Sequence, residues 1–219
     1  VDTPGDADWV SYGNSQAQRY SGLQQINRSN VAKLERAWLI HTGDLPEDTE
    51  NNSYGAETTP LKIGNRLYLC SATNQMMALD AATGEEIWHY DPNVDKNWIP
   101  YTAACRGVVY YESDLDAEAA CHARVIESTL DGRIIAVDAE TGEPCTDFGQ
   151  NGEVDIKTGM GDIVPGMVSI TSPPSVVSGV IVTNHQVLDG QKLEAPSGVI
   201  KGFDVMTGEW LWSWDMTRP

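Results

Sequence analysis

Short apolar runs, closed by turn residues, dominate the chain. Arg66-Leu67-Tyr68-Leu69-Cys70 follows a Gly64-Asn65 turn, and Val180-Ile181-Val182 follows Ser178-Gly179. Arg124–Thr129 and Arg133–Val137 flank Asp131-Gly132, a strong β-hairpin signal. Read as a two-residue turn, that hairpin pairs positions whose numbers sum to about 263. Helical patterning is thin. Ser29–Trp38 offers a cap and one helical turn, and the insertion from Asp91 to Ala120 has room for another short helix.

Three segments repeat a pattern of small residue, apolar residue, Asp, two variable positions, Thr-Gly-Glu and then Trp. They begin at Ala78, Ala136 and Gly202, with their aspartates at Asp80, Asp138 and Asp204. Those aspartates stand 58 and 66 residues apart, which leaves room for one four-stranded blade and an insertion per repeat. The pattern has a physical reading. An apolar strand runs into Asp, whose carboxylate accepts backbone N–H groups in the turn. Gly84, Gly142 and Gly208 take the positive-φ position of that turn. The next strand leaves with Trp as a large filler between sheets. These features predict an all-β chain of β-propeller type. The Asp, Thr, Gly and Trp of the repeats read as scaffold rather than chemistry.

Composition narrows the function classes. The chain has 219 residues and is 41% hydrophobic, enough for a packed core and against wholesale disorder. A net charge of −18 excludes phosphate-driven nucleic-acid binding and docking on an anionic membrane. No apolar stretch reaches the roughly eighteen residues a spanning helix needs. The opening Val1-Asp2-Thr3-Pro4 reads as a mature product or a segment from within a longer chain. Cys70, Cys105, Cys121 and Cys145 have no metal-ligand spacing with the histidines, and their even number fits an oxidising compartment. Four cysteines allow three pairings. The hairpin register sets Cys121 opposite residues near 142, close to Cys145, so that pair is favoured. Cys145 falls where the other two repeats carry Trp, so a disulfide would replace the aromatic filler there.

The Thr-Gly-Trp repeat resembles the tryptophan-docking motif of quinoprotein alcohol dehydrogenases, enzymes that use pyrroloquinoline quinone (PQQ). Several ordered segments tighten that resemblance. They include Asp8-Trp9, Arg19-Tyr20-Ser21, Ile26-Asn27, Glu57 before Thr59-Pro60, Cys105-Arg106-Gly107-Val108, Thr171-Ser172-Pro173-Pro174 and Gly202-Phe203-Asp204. In this order they look like the membrane-bound glucose, quinate and polyol dehydrogenase group. The resemblance covers essentially the whole chain. It implies an eight-bladed propeller, with residues 1–219 as the N-terminal part of a single PQQ-binding domain and roughly its first three blades. The remaining blades would come from the same chain or a second subunit.

The resemblance assigns roles residue by residue. Glu57 matches a PQQ-contacting glutamate, and Arg106 an arginine beside the quinone carbonyls. Thr171 and Ser172 match hydroxyls that reach the PQQ carboxylates. Asp189 matches an acidic residue near a divalent cation, calcium or magnesium. Asp44, Thr102 and His185 are expected to line the site. The general base lies in the family's later half, so no residue here is assigned a catalytic role. Thr102 stands where glucose dehydrogenases carry a histidine, His41 where they carry an arginine, and Gly190 where they carry an amide. These departures favour a polyol or quinate over glucose. The resemblance further implies a periplasmic location, with any membrane anchor outside this sequence, and ubiquinone as acceptor. A non-enzymatic propeller scaffold built on the same repeats is the alternative. Such a scaffold has no need of Glu57, the Cys105-Arg106-Gly107 run or Thr171-Ser172-Pro173-Pro174.

Overall fold

Each Thr-Gly unit sits at the turn that leaves the third strand of an antiparallel sheet. The computed structural model describes residues 8–14, 17–48, 50 and 54–215. The Val1–Pro4 opening lies outside the described residues. The first sheet runs β1 (Leu61–Ile63), β2 (Arg66–Cys70), β3 (Met76–Asp80), β4 (Glu86–Tyr90), each strand beside the next. The second repeats that order with β5 (Val109–Glu112), β6 (Ala123–Ser128), β7 (Arg133–Asp138) and β8 (Glu153–Asp155). After β9 (Val168–Ser169) the third sheet follows as β10 (Ser175–Val177), β11 (Val180–Thr183), β13 (Ile200–Asp204) and β14 (Trp210–Trp214). The inserted β12 (Gln186–Val187) pairs with β9 instead. This is the expected all-β organisation of three four-stranded propeller blades. Among the described residues the helices are single 3-10 turns at Val31–Lys33 and Lys96–Trp98, the second capped by the Asp95 carboxylate.

The repeat chemistry is as the sequence predicts. Asp80 Oδ1 accepts from the Ala82 and Thr83 amides at 2.9 and 2.8 Å. Asp138 does the same with Glu140 and Thr141, and Asp204 with Met206 and Thr207. Gly84, Gly142 and Gly208 all have φ between +71° and +76°. The glycines also leave room for the neighbouring blade. A Cβ on Gly84 would lie 2.4 Å from the Trp38 ring, and one on Gly142 would lie 2.8 Å from the Trp88 ring. Each tryptophan therefore docks on the Thr-Gly turn of the next sheet.

Two disulfides form, Cys121–Cys145 as expected and Cys70–Cys105. The β6–β7 register differs from the sequence expectation by one. Arg124 pairs with Asp138 and Ser128 with Ile134, because the loop holds three residues, Leu130, Asp131 and Gly132. The cause is tertiary. The Leu130 side chain is fully buried, and its amide donates to Asn74 of the neighbouring sheet at 3.0 Å. The Cys145 placement also needed backbone detail. Counted from Ala136, the tryptophan position is Thr146. In the first sheet a bulge between Ala78 and Leu79 sets Trp88 opposite Ala78. The second sheet brings the Cys145 amide to the Ala136 carbonyl at 2.9 Å, so Cys145 takes the tryptophan's place.

Candidate functional site

Glu57, Arg106 and Thr171 each stand three or four residues before the first strand of their blade, β1, β5 and β10. That common position brings three distant segments together. The loop around Arg106 runs between the other two. The Gly55 amide donates to Ala103 O at 2.7 Å, and the Thr59 amide donates to Arg106 O at 3.1 Å. On its other side the Arg106 amide donates to Thr171 O at 2.9 Å. Gly107, at φ +147°, lets the loop turn close to the Thr59 backbone. The Cys70–Cys105 disulfide fastens the loop to the end of β2.

The side chains converge as well. Arg106 Nε lies 2.9 Å from Glu57 Oε2, and its Nη1 donates to Thr171 Oγ1. Arg106 and Glu57 are each about half exposed, 50% and 45%, so their ion pair is well hydrated and adds little stability. Its value is positional: a guanidinium held from both sides presents its remaining N–H groups to solvent in fixed directions. Ser172, next along the chain, is exposed.

The other expected site residues are placed differently. Asp44 shares the wall of a cavity of about 360 Å³ with Glu57, Cys70 and Tyr54. Its carboxylate is already engaged, accepting from Ser71 Oγ at 2.6 Å, the Thr73 amide at 2.7 Å and Thr73 Oγ1 at 2.9 Å. Thr102 lines a second cavity of about 360 Å³ with Tyr54, Lys96 and Tyr101. Neither buried ring nitrogen of His185 has a close hydrogen-bond partner among the described residues. Desolvation holds this imidazole below its ordinary pKa, although the Ser197 backbone acts to raise it. Asp189 is exposed at the Asp189-Gly190 turn and joins no cluster of three metal-ligating side chains among the described residues. Sequence reasoning missed the disulfide behind Arg106 and the buried Glu127 beside it.

The donor set fits an anionic quinone. Arg106 keeps further N–H groups beside the Thr171 hydroxyl, with the exposed Ser172 next along the chain, a combination suited to carboxylates. The divalent cation is a different matter. One exposed carboxylate is not a site for an ion that takes six or more oxygens.

Tryptophans docked on the glycine turns of successive four-stranded sheets define part of a β-propeller. Residues 9–219 match the family model described as PQQ: glucose/ethanol/alcohol dehydrogenase, β-propeller domain, and the chain belongs to that family. It is 50% identical over 219 residues to the glycerol dehydrogenase large subunit of Gluconobacter oxydans, covering 99% of this chain and 30% of that protein. It is 42% identical over 216 residues to the quinoprotein glucose dehydrogenase of Escherichia coli, covering 96% of this chain and 27% of that one. Among solved structures it resembles the quinohemoprotein alcohol dehydrogenase of Comamonas testosteroni, with TM-score 0.73 and 26% identity over all of this chain and 29% of that one. The chain thus spans under a third of the length of the relatives it matches.

Proposed function

We propose that residues 1–219 form the N-terminal part of a single eight-bladed PQQ-dependent dehydrogenase domain. It oxidises a polyol or a cyclic hydroxy acid such as quinate, faces the periplasm and passes electrons to ubiquinone. The rest of the propeller completes the ring. The observation that carries this reading is the Arg106 guanidinium, fixed between Glu57 and Thr171 at the lead-ins to three blades. The 50% identity to a glycerol dehydrogenase subunit favours a polyol, and the 42% identity to a glucose dehydrogenase keeps glucose as the alternative substrate.

PQQ, when bound, supplies a quinone that accepts the hydride of the alcohol. The chain's own residues bind and orient. Arg106 donates N–H bonds to an anionic or carbonyl oxygen, where a fixed cation is worth more than a mobile one. Glu57 holds Arg106 in that direction. Thr171 and Ser172 offer hydroxyls to a carboxylate. Asp44, saturated by Ser71 and Thr73, shapes the wall beside Glu57 rather than moving a proton. Thr102 and His185 line the surroundings. Asp189 would offer at most one oxygen to a calcium or magnesium ion, which needs further ligands that the described residues do not bring to it. The base that takes the substrate proton is assigned to no residue of this chain.

The test is reconstitution of the complete protein with PQQ and calcium, followed by dye reduction with glycerol, sorbitol, quinate and glucose. Arg106→Ala should weaken PQQ binding by about tenfold or more, the loss of a charge-assisted contact. Failure of the wild-type protein to bind PQQ would overturn the enzyme reading. Preference for glucose would overturn only the substrate.

A further inference from the structure

Glu127 is the least expected residue in the molecule. It lies inside β6, its side chain is fully buried, and its Oε1 has no hydrogen-bond partner among the described residues. Its Oε2 lies 3.7 Å from Cys105 Sγ, which is bonded to Cys70. A disulfide sulfur has no hydrogen to donate. The contact is therefore a hydrogen bond only if Glu127 carries the proton and gives it to sulfur. The surroundings agree. Burial raises the Glu127 pKa well above its ordinary value, against the weaker pull of the Asn74 amide and the Arg133 charge, with Asp131 adding to the rise. Asn74 also serves the backbone, its Nδ2 donating to Ser128 O and its Oδ1 accepting from the Leu130 amide.

Both cysteines are buried, at 1% and 2% exposure, but their surroundings differ. Cys70 lines the cavity of about 360 Å³ that Asp44 and Glu57 also line, and Cys105 is not on that wall. One cysteine belongs to the cavity wall, with Thr58 Oγ1 3.4 Å from its sulfur, and the other sulfur faces a buried acid.

We propose that Cys70, Cys105 and Glu127 form a thiol-exchange site in which Cys70 is attacked from the cavity and Glu127 protonates Cys105 as it leaves. The co-reactant is an external dithiol. Its thiolate bonds to Cys70 Sγ, the Cys70–Cys105 bond breaks, and that electron pair goes to Cys105 Sγ. The Glu127 proton follows onto Cys105, so no thiolate is left in the apolar interior. The second thiol of the reductant then displaces Cys70 as a thiol and leaves as a cyclic disulfide. Two electrons reduce one disulfide to two thiols, and Glu127 recovers a proton from solvent. In reverse, ionised Glu127 is the base that deprotonates Cys105 during bond formation. Cleavage unfastens the Arg106 loop from β2, which places the exchange beside the candidate site. The proposal does not depend on PQQ binding.

The second disulfide is an internal control. Asp147 lies near Cys121 and Cys145, but its side chain is 53% exposed and ion-paired with Arg124, so it is no buried proton donor. In the oxidised intact protein, reduction of each disulfide by dithiothreitol is followed by alkylation and peptide mass spectrometry. Glu127→Gln should slow Cys70–Cys105 reduction by about tenfold or more, a modest share of what a positioned acid supplies. The Cys121–Cys145 rate should not change. Equal Cys70–Cys105 rates in the two proteins, or a parallel change in both disulfides, would overturn the proposal. A second measurement needs no variant. A monothiol trapped on wild-type protein should be found on Cys70, with Cys105 free, and its presence on Cys105 would overturn the assigned direction of attack.

Discussion

The joint between the first and second sheets and the joint between the second and third perform the same task with different parts. At the first, the Trp88 ring covers Gly142, and its Nε1 donates to Ala139 O at 3.0 Å. Arg66 Nη1 reaches the same carbonyl at 2.9 Å, and Tyr68 Oη at 3.2 Å. At the second, the nearest neighbours of the turn glycine, Gly208, include no tryptophan. The Cys121–Cys145 disulfide holds its place, and Phe148 and Val154 cover Gly208 instead. The Gly149 amide donates to Thr207 O at 2.8 Å. Arg124, which faces Asp138 as Arg66 faces Asp80, donates to Val205 O at 3.2 Å and Met206 O at 3.0 Å. Two requirements survive the exchange: a filler over the glycine, and an arginine reaching the carbonyls that follow the repeat aspartate. Tryptophan is one way to meet the first.

The comparison breaks if the two arginines are equivalent in energy. The Arg124 side chain is fully buried, whereas that of Arg66 is 23% exposed and pairs with an exposed Glu140. Arg124→Met strips the Val205, Met206 and Cys121 carbonyls of a donor where water cannot easily replace it. The expected cost is about 3 kcal/mol or more, against about 1 kcal/mol for Arg66→Met. Urea unfolding of both variants measures this, and equal midpoints would remove the distinction between the joints.

The next effect concerns the fillers. Replacing Cys121 and Cys145 together by Ala opens a loop of sequence separation 24, which costs about 3 kcal/mol. Trp88→Phe keeps a ring over Gly142 and removes the N–H to Ala139, at about 1 kcal/mol. Thermal unfolding should rank the cysteine variant as the weaker protein. The opposite ranking would mean that Phe148 fills the second joint without help from the disulfide.

How much of this was legible in the sequence depends on how local each cause is. The aspartate turns and their glycines are set within six residues, and all three formed as read. The convergence of Glu57, Arg106 and Thr171 is not local, and it was reached through family resemblance. The β6–β7 register slipped by one because Leu130 is drawn to another sheet. A one-residue slip usually reverses the faces of a strand. Here the disulfide inference survived because it needed only nearness. Glu127 was invisible for a related reason. Val125 and Ile126 are buried on opposite faces of β6, so no alternation marks a charged residue there as misplaced. Asp189 and Asp44 are a different case. Both were assigned by the resemblance, and the structure adds that Asp189 stands exposed at its turn while Asp44 accepts from Ser71 and Thr73.

The smallest difference between the joints is electrostatic, and it isolates the arginine from the filler. The Asp204 pKa lies below its ordinary value. Burial pushes it up, but the Thr207 and Met206 amides and the Thr207 hydroxyl outweigh that, and the Arg124 charge adds to the lowering. The Asp80 pKa is also lowered, by the Thr83 amide and hydroxyl first and with no arginine contributing. A carboxylate with a depressed folded pKa stabilises the protein above its unfolded pKa, near 3.8, and loses that stabilisation as pH falls through the folded value. Both turns should therefore weaken only in acid. Arg124→Met should move the Asp204 titration upward, so that its loss begins at higher pH, while Arg66→Met should leave Asp80 where it was. Asp204 is mostly solvated, so the stability change stays below about 1 kcal/mol, and carboxyl carbon chemical shifts are the suitable measurement. An unmoved Asp204 would mean that Arg124 acts on the joint through its hydrogen bonds to Val205 and Met206 alone.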